Sequence, residues 1–162
     1  MFKIKLLILL LNSILLFSCT QQNITSHKYT LDYFGGEQNG LLLRNYLESK
    51  LKGYKLYDAE SAFLIKGTIK NSTSLYITNI DNTSDRNLIT TSVNLQVVNT
   101  EKNCVILSFQ DNISQFYIFS SGDKFISNNQ ASKKIIENNT DSLTQNFIDT
   151  LIFNQHGNCD KK

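Results

Sequence analysis

A chain of 162 residues, 41% of them apolar, is long enough for one domain with a real core and short for two. Its 16 basic and 14 acidic residues give a formal charge of +2. Lys3 and Lys5 lie in what reads as a removable leader; without them the basic residues number 14 against 14 acidic, which excludes a general electrostatic attraction to nucleic acid.

Residues 1–18 carry two lysines, then an apolar run broken at Asn12-Ser13 and resumed from Ile14 to Phe17. That is the layout of a secretory signal peptide. A membrane-spanning helix needs about 20 consecutive apolar residues, which this stretch does not supply. Ser18 before Cys19, with Leu16 upstream, fits a lipobox, in which the cleaved chain begins at a cysteine carrying a covalent lipid. Phe17 is bulky for its place in that pattern. An ordinary secretory signal with a chance cysteine, or a short membrane anchor, are the other readings. Residues 19–27, "CTQQNITSH", are polar and patternless, and form a tether to a domain over residues 28–153.

"YTLDYF" alternates Tyr29, Leu31 and Tyr33 against Thr30 and Asp32, which predicts a first strand ended by Gly35-Gly36. "NGLLLRNYLESKLKG" places Leu43, Tyr46, Leu47 and Leu51 at helical spacing, with Gly53 as C-cap. Three long strands follow. "AFLIKGTIKNSTSLYI" alternates Phe63, Ile65, Gly67 and Ile69. "NLITTSVNLQVVN" alternates Ile89, Thr91, Val93, Leu95 and Val97, and "CVILSFQDNISQFY" alternates Val105, Leu107 and Phe109 before turning irregular. Polar residues in the other phase favour an antiparallel sheet covered on one side. A final helix, starting between Asp123 and Asn129, runs to about Phe153 with Ile136, Leu143, Phe147 and Leu151 on one stripe and Ile135 and Ile148 beside it. Residues 154–162 are a polar tail. The order β-α-β-β-β-α predicts an α+β two-layer sandwich, with a four-stranded, mostly antiparallel sheet and two helices on one face.

Residues that carry chemistry are sparse. His27 falls in the tether and His156 in the tail, where a preorganised site is hardest to hold. No cluster has metal-ligand spacing, no glycine-rich loop follows a strand, and no serine sits in a nucleophile elbow. Asp58 and Glu60 read as solvated loop carboxylates. The expectation is a protein that is not an enzyme, with no catalytic residue, metal or cofactor beyond the lipid on Cys19. The Asn-x-Ser/Thr triplets at Asn71, Asn82, Asn112 and Asn138 arise easily in a chain this rich in Asn, and below a bacterial lipobox they are not read as glycosylation sites.

Two further cysteines admit a geometric reading. A last strand of about 13 residues spans about 43 Å, and a returning helix of about 27 residues spans about 40 Å. Cys159 therefore ends near the turn before Cys104, and a secretory leader implies an oxidising compartment. The pair either forms a disulfide or stays as a buried thiol at Cys104 and a loose one at Cys159.

"GLLLRNYLESKL", then "YKLYDAE", "DRNLITTSVNLQVVN" and a long helix after "QFY" resemble the lipopolysaccharide-assembly lipoprotein family LptE over about residues 29–153. The resemblance implies a lipid-anchored protein on the periplasmic face of the outer membrane. It would plug the lumen of the β-barrel LptD, support the barrel's assembly and assist lipopolysaccharide transport to the outer leaflet. Thr20 after Cys19 is compatible with outer-membrane sorting. The chain's two arginines, Arg44 and Arg86, both lie within these segments. Arg86, with Lys66 or Lys70, is a candidate contact to lipopolysaccharide phosphate or the barrel wall, because a guanidinium grips phosphate bidentately. The plainer reading has Arg86 satisfying carbonyls in the 81–86 loop, and Arg44 pairing with Glu48 one turn on. A different class of function is a periplasmic lipid or small-ligand carrier, and a third is a structural envelope lipoprotein.

Overall fold

The computed structural model describes residues 27–77, 85–118, 125–153 and Cys159. The leader, Cys19, the tether up to residue 26, Asn82, the 78–84 link and His156 lie outside the described residues. The elements are β1 (Thr30–Gly35), α1 (Glu37–Gly53), β2 (Phe63–Ile77), β3 (Asp85–Asn99), β4 (Cys104–Ile118) and α2 (Phe125–Phe153). The sheet order is β1-β2-β3-β4. β1 pairs with β2 in parallel, as a strand-helix-strand crossover requires, and the other pairs are antiparallel. Both helices lie over one face, giving the predicted α+β architecture.

The core follows from the two periodicities. Leu43, Leu47 and Leu51 recur every four residues on α1 and are fully buried. Ile65 and Ile69 on β2, and Ile89, Val93, Leu95 and Val97 on β3, point the same way at period two. Leu143, Phe147, Ile148 and Leu151 close the layer from α2, with Phe109 meeting the Phe147 ring edge-on at 5.3 Å. Gly67 falls in this inward row, and a Cβ there would strike the Asn94 carbonyl and the Leu95 side chain.

Two expected inward residues face out instead. Tyr33 is 77% exposed and Phe34 takes its place in the core, because the β1–β2 register shifts between Leu31 and Phe34. Val105 is 52% exposed, because the β3–β4 register slips between Val97 and Val98, so that Val105 meets Val98, on the outward phase, rather than Asn99. One extra residue reverses the facing of everything on one side of it.

Gly53 is not the left-handed cap of α1. The chain continues through Tyr54 and adopts positive φ at Lys55 (60°). The Leu56 amide donates to the Leu51 carbonyl (2.8 Å) and the Lys55 amide to Lys52 (3.0 Å), a Schellman closure with buried Leu56 packed below it. Gly36, at φ 119°, makes the opposite corner, where the Ile69 backbone leaves no room for a side chain.

α2 descends from the far end of the sheet to the β3–β4 turn, and a disulfide joins Cys104 to Cys159 with their Cα atoms 6.2 Å apart. Midway along the helix the packing turns polar. Asn139, fully buried, donates from Nδ2 to Thr91 Oγ1 and to the Ile113 carbonyl (3.3 Å each). Asn71, opposite Thr91 on β2, has both amide atoms buried without a partner among the described residues, which also closes that triplet to any glycosylating enzyme.

Candidate interaction surface

The sheet's other face carries the features that the helices leave free. Register places its residues in rows across β2, β3 and β4. Four successive rows are polar: Lys66–Gln96–Ser108, Thr68–Asn94–Gln110, Lys70–Ser92–Asn112 and Ser72–Thr90–Ser114. Ten of these twelve side chains are uncharged amides or hydroxyls. Thr90 and Ser114 hydrogen-bond across the strands at 2.8 Å. Two shallow hollows open on this face, one over Thr68, Lys70 and Asn94, the other over Lys66 and Gln96 beside Asp32 and Tyr33. The Tyr33 ring is there because of the β1 bulge, so this wall of the hollow is a product of register rather than of alternation.

Beyond the polar rows, the strands continue to the end of the sheet where α2 begins. The last two rows are Ser74–Leu88–Phe116 and Tyr76–Arg86–Ile118. Tyr76 and Phe116 meet edge-to-face at 5.5 Å, a preferred aromatic geometry, yet both remain about half exposed to solvent (47% and 57%), and Ile118 is 69% exposed. The result is an apolar tip with one guanidinium among its side chains. Sequence reasoning singled out Arg86 but not the apolar ring around it. The signal was present in "SLYI" and "SQFYI", read in the phase opposite to the core.

The structure separates the expected basic cluster. Lys66, Lys70 and Arg86 share one face, but Arg86 lies opposite Tyr76, six residues beyond Lys70 and ten beyond Lys66. At about 3.3 Å per residue these are gaps of about 20 and 33 Å, too wide for one anion to bridge. The two lysines stand over the polar rows, and neither has an ion-pair partner among the described residues. Residues 81–84, whose carbonyls are the alternative partners of Arg86, lie outside the described residues.

Arg44 lies elsewhere, on α1, lining a cleft with Asp32, Tyr33 and Glu37. It does not pair with Glu48. That carboxylate accepts a 2.6 Å hydrogen bond from Lys52, which holds it below the usual carboxylate range. Glu four residues before Lys is the better-aligned order on a helix than Arg before Glu, so Lys52 wins. Asp58 pairs with Lys28 at 3.6 Å and accepts the Glu60 amide, a local turn contact. The His27 ring packs at a tilt against Phe63, with ring centroids 4.6 Å apart. Among the described residues, no three of His, Cys, Asp and Glu gather as metal ligands would, and no helix is long and apolar enough to cross a membrane.

No protein-family model matches the chain, and no curated protein matches it. Solved structures do. A minor lipoprotein from Acinetobacter baumannii superposes with a TM-score of 0.63 at 12% identity, over 85% of this chain and 99% of that one. Rare lipoprotein B from Shewanella oneidensis gives 0.62 at 9% identity, over 77% and 93%. Lipoprotein B from Nitrosomonas europaea gives 0.62 at 10% identity, over 80% and 84%. At these identities the shared property is the fold, and it is a fold found in bacterial lipoproteins.

Proposed function

We propose that the chain is a lipid-anchored plug of an outer-membrane β-barrel, LptD, and that it assists lipopolysaccharide delivery to the outer leaflet. The observation that carries this reading is the four-row polar face. A large barrel has a hydrophilic lumen, and a face of ten uncharged hydroxyls and amides can line it with only Lys66 and Lys70 needing polar partners on the barrel wall. The fold, shared with rare lipoprotein B, agrees with the sequence resemblance to the LptE family. Cys19 would carry the lipid, and Lys66 and Lys70 would meet the barrel wall. At the tip, apolar side chains around Arg86 offer what an amphiphile with phosphates on its headgroup requires.

The carrier reading has less support. A carrier needs an apolar cavity between its layers, whereas here that space is filled by a continuous cluster from Tyr29 to Leu151. The deciding experiment is affinity purification from detergent-solubilised membranes: a stoichiometric large barrel is expected, and its absence overturns the plug. Arg86→Glu is expected to keep the barrel partner while raising outer-membrane permeability. Normal permeability with the partner retained removes the role assigned to Arg86.

A further inference from the structure

The end of the molecule opposite the apolar tip gathers the loops that precede and follow the core. His27 and Lys28, the α1–β2 connection, the β3–β4 turn and the last turn of α2 all finish there. They are tied into one surface: the Tyr29 amide donates to the Leu56 carbonyl (2.7 Å), Ser61 Oγ to the Lys28 carbonyl (2.5 Å), and the Thr100 amide to the Ala62 carbonyl (2.9 Å). Phe153 (63%) and Tyr54 (45%) are exposed at this end, and Lys52 lies over the Tyr57 ring at 5.1 Å.

Chain length decides which end can face a membrane. Cys19 and His27 are eight residues apart, which spans at most about 28 Å fully extended. The 15-residue strands place the tip about 50 Å from this end. A lipid on Cys19 therefore keeps the loop end near the bilayer, and the tip could not stand on it with the loop end raised. Aromatic rings interleaved with lysines are also the composition of membrane interfaces. Lys28, Lys52, Lys55 and Lys102 are balanced by Glu48, Asp58, Glu60 and Glu101, so charge attraction is not what would hold this end to lipid.

We infer that in the anchored protein free of its barrel this end rests on a phospholipid surface, with Phe153 in the headgroup layer and Tyr54 and the lysines around it, and that the sheet then stands upright from it with the tip farthest away. The inference rests on the proposed lipid anchor at Cys19.

The chain has no tryptophan, so a single introduced indole reports its own depth. Full-length lipidated protein would be reconstituted into phosphatidylcholine vesicles bearing headgroup nitroxides. Emission from Phe153→Trp is expected to be quenched and unchanged by raised salt, while Tyr76→Trp keeps its intensity. If the protein does not float with the vesicles, or Cys19→Ala floats equally well, the anchor fails and the inference with it. If the protein floats through Cys19 but Phe153→Trp is unquenched, or Tyr76→Trp is quenched as strongly, the anchor stands and the orientation is overturned. A Leu41→Trp reporter, at an exposed site near the start of α1 away from both ends, gives the unquenched reference, and circular dichroism of each variant checks that it is folded.

Discussion

Lys55 holds a left-handed conformation (φ 60°) so that α1 can close on Leu56. A side chain in that region costs about 1–2 kcal/mol, and glycine avoids most of it at some cost in unfolded-chain entropy. Lys55→Gly is therefore expected to stabilise the protein by about 1 kcal/mol, read by urea denaturation. The helix and its approximate end were legible in the spacing of Leu43, Leu47 and Leu51, but the corner was not. Glycine is the usual cap, which points to Gly53; the chain instead turns two residues later, at Lys55, so that Leu56 reaches the core. Tyr46 supplies a pH-dependent test. Burial raises its phenol above the ordinary value, and the Glu137 and Asp141 carboxylates raise it further against the pull of Lys50. A raised folded pKa contributes stability that is full below the unfolded value of about 10 and is lost as pH rises through the folded one. The Tm of the natural protein should fall more steeply above that pH than the Tm of Tyr46→Phe.

At the scale of elements, α2 has two halves. From Leu143 to Leu151 it buries four apolar residues in the main core, whereas around Asn139 and Thr140 its buried side chains are polar. Thr140 and Thr144 satisfy their hydroxyls on carbonyls one turn back (2.7 Å each), but Asn71 on the facing strand has no such outlet. An orphaned buried polar group costs about 1–3 kcal/mol. Asn71→Val keeps the strand preference and removes two orphaned atoms, so its expected effect is a gain of about 1–2 kcal/mol with an unchanged denaturant slope. No gain would mean that the amide is satisfied by solvent. The apolar stripe of α2 was readable from the sequence; the polar layer was not, because Asn71, Thr91 and Asn139 are far apart in the chain and meet only through strand register.

Across the whole molecule, the disulfide closes a loop between residues 55 apart, tying the end of α2 to the start of β4. The chain-entropy model assigns a loop of that size roughly 4 kcal/mol. Reduction, or paired Cys104→Ser and Cys159→Ser substitution, should lower unfolding stability by about that amount while leaving the helical signal in circular dichroism. Free labelling of both thiols in unreduced protein would remove the bridge from the account. Sequence by itself determined the number, kind and order of the elements. Period-two and period-3.6 patterns are local, and each strand or helix writes its own. It also determined that the excess of positive over negative charge lies in residues 1–18 rather than in the rest of the chain. Only the tertiary structure decided the facing of Tyr33 and Val105, the separation of Arg86 from Lys70 by about 20 Å, and the apolar ring around that arginine. Those depend on register, and register is a property of paired strands. One bulged residue inverts a face, and six residues of pairing hold a lysine and an arginine apart, with no mark in either strand's own pattern.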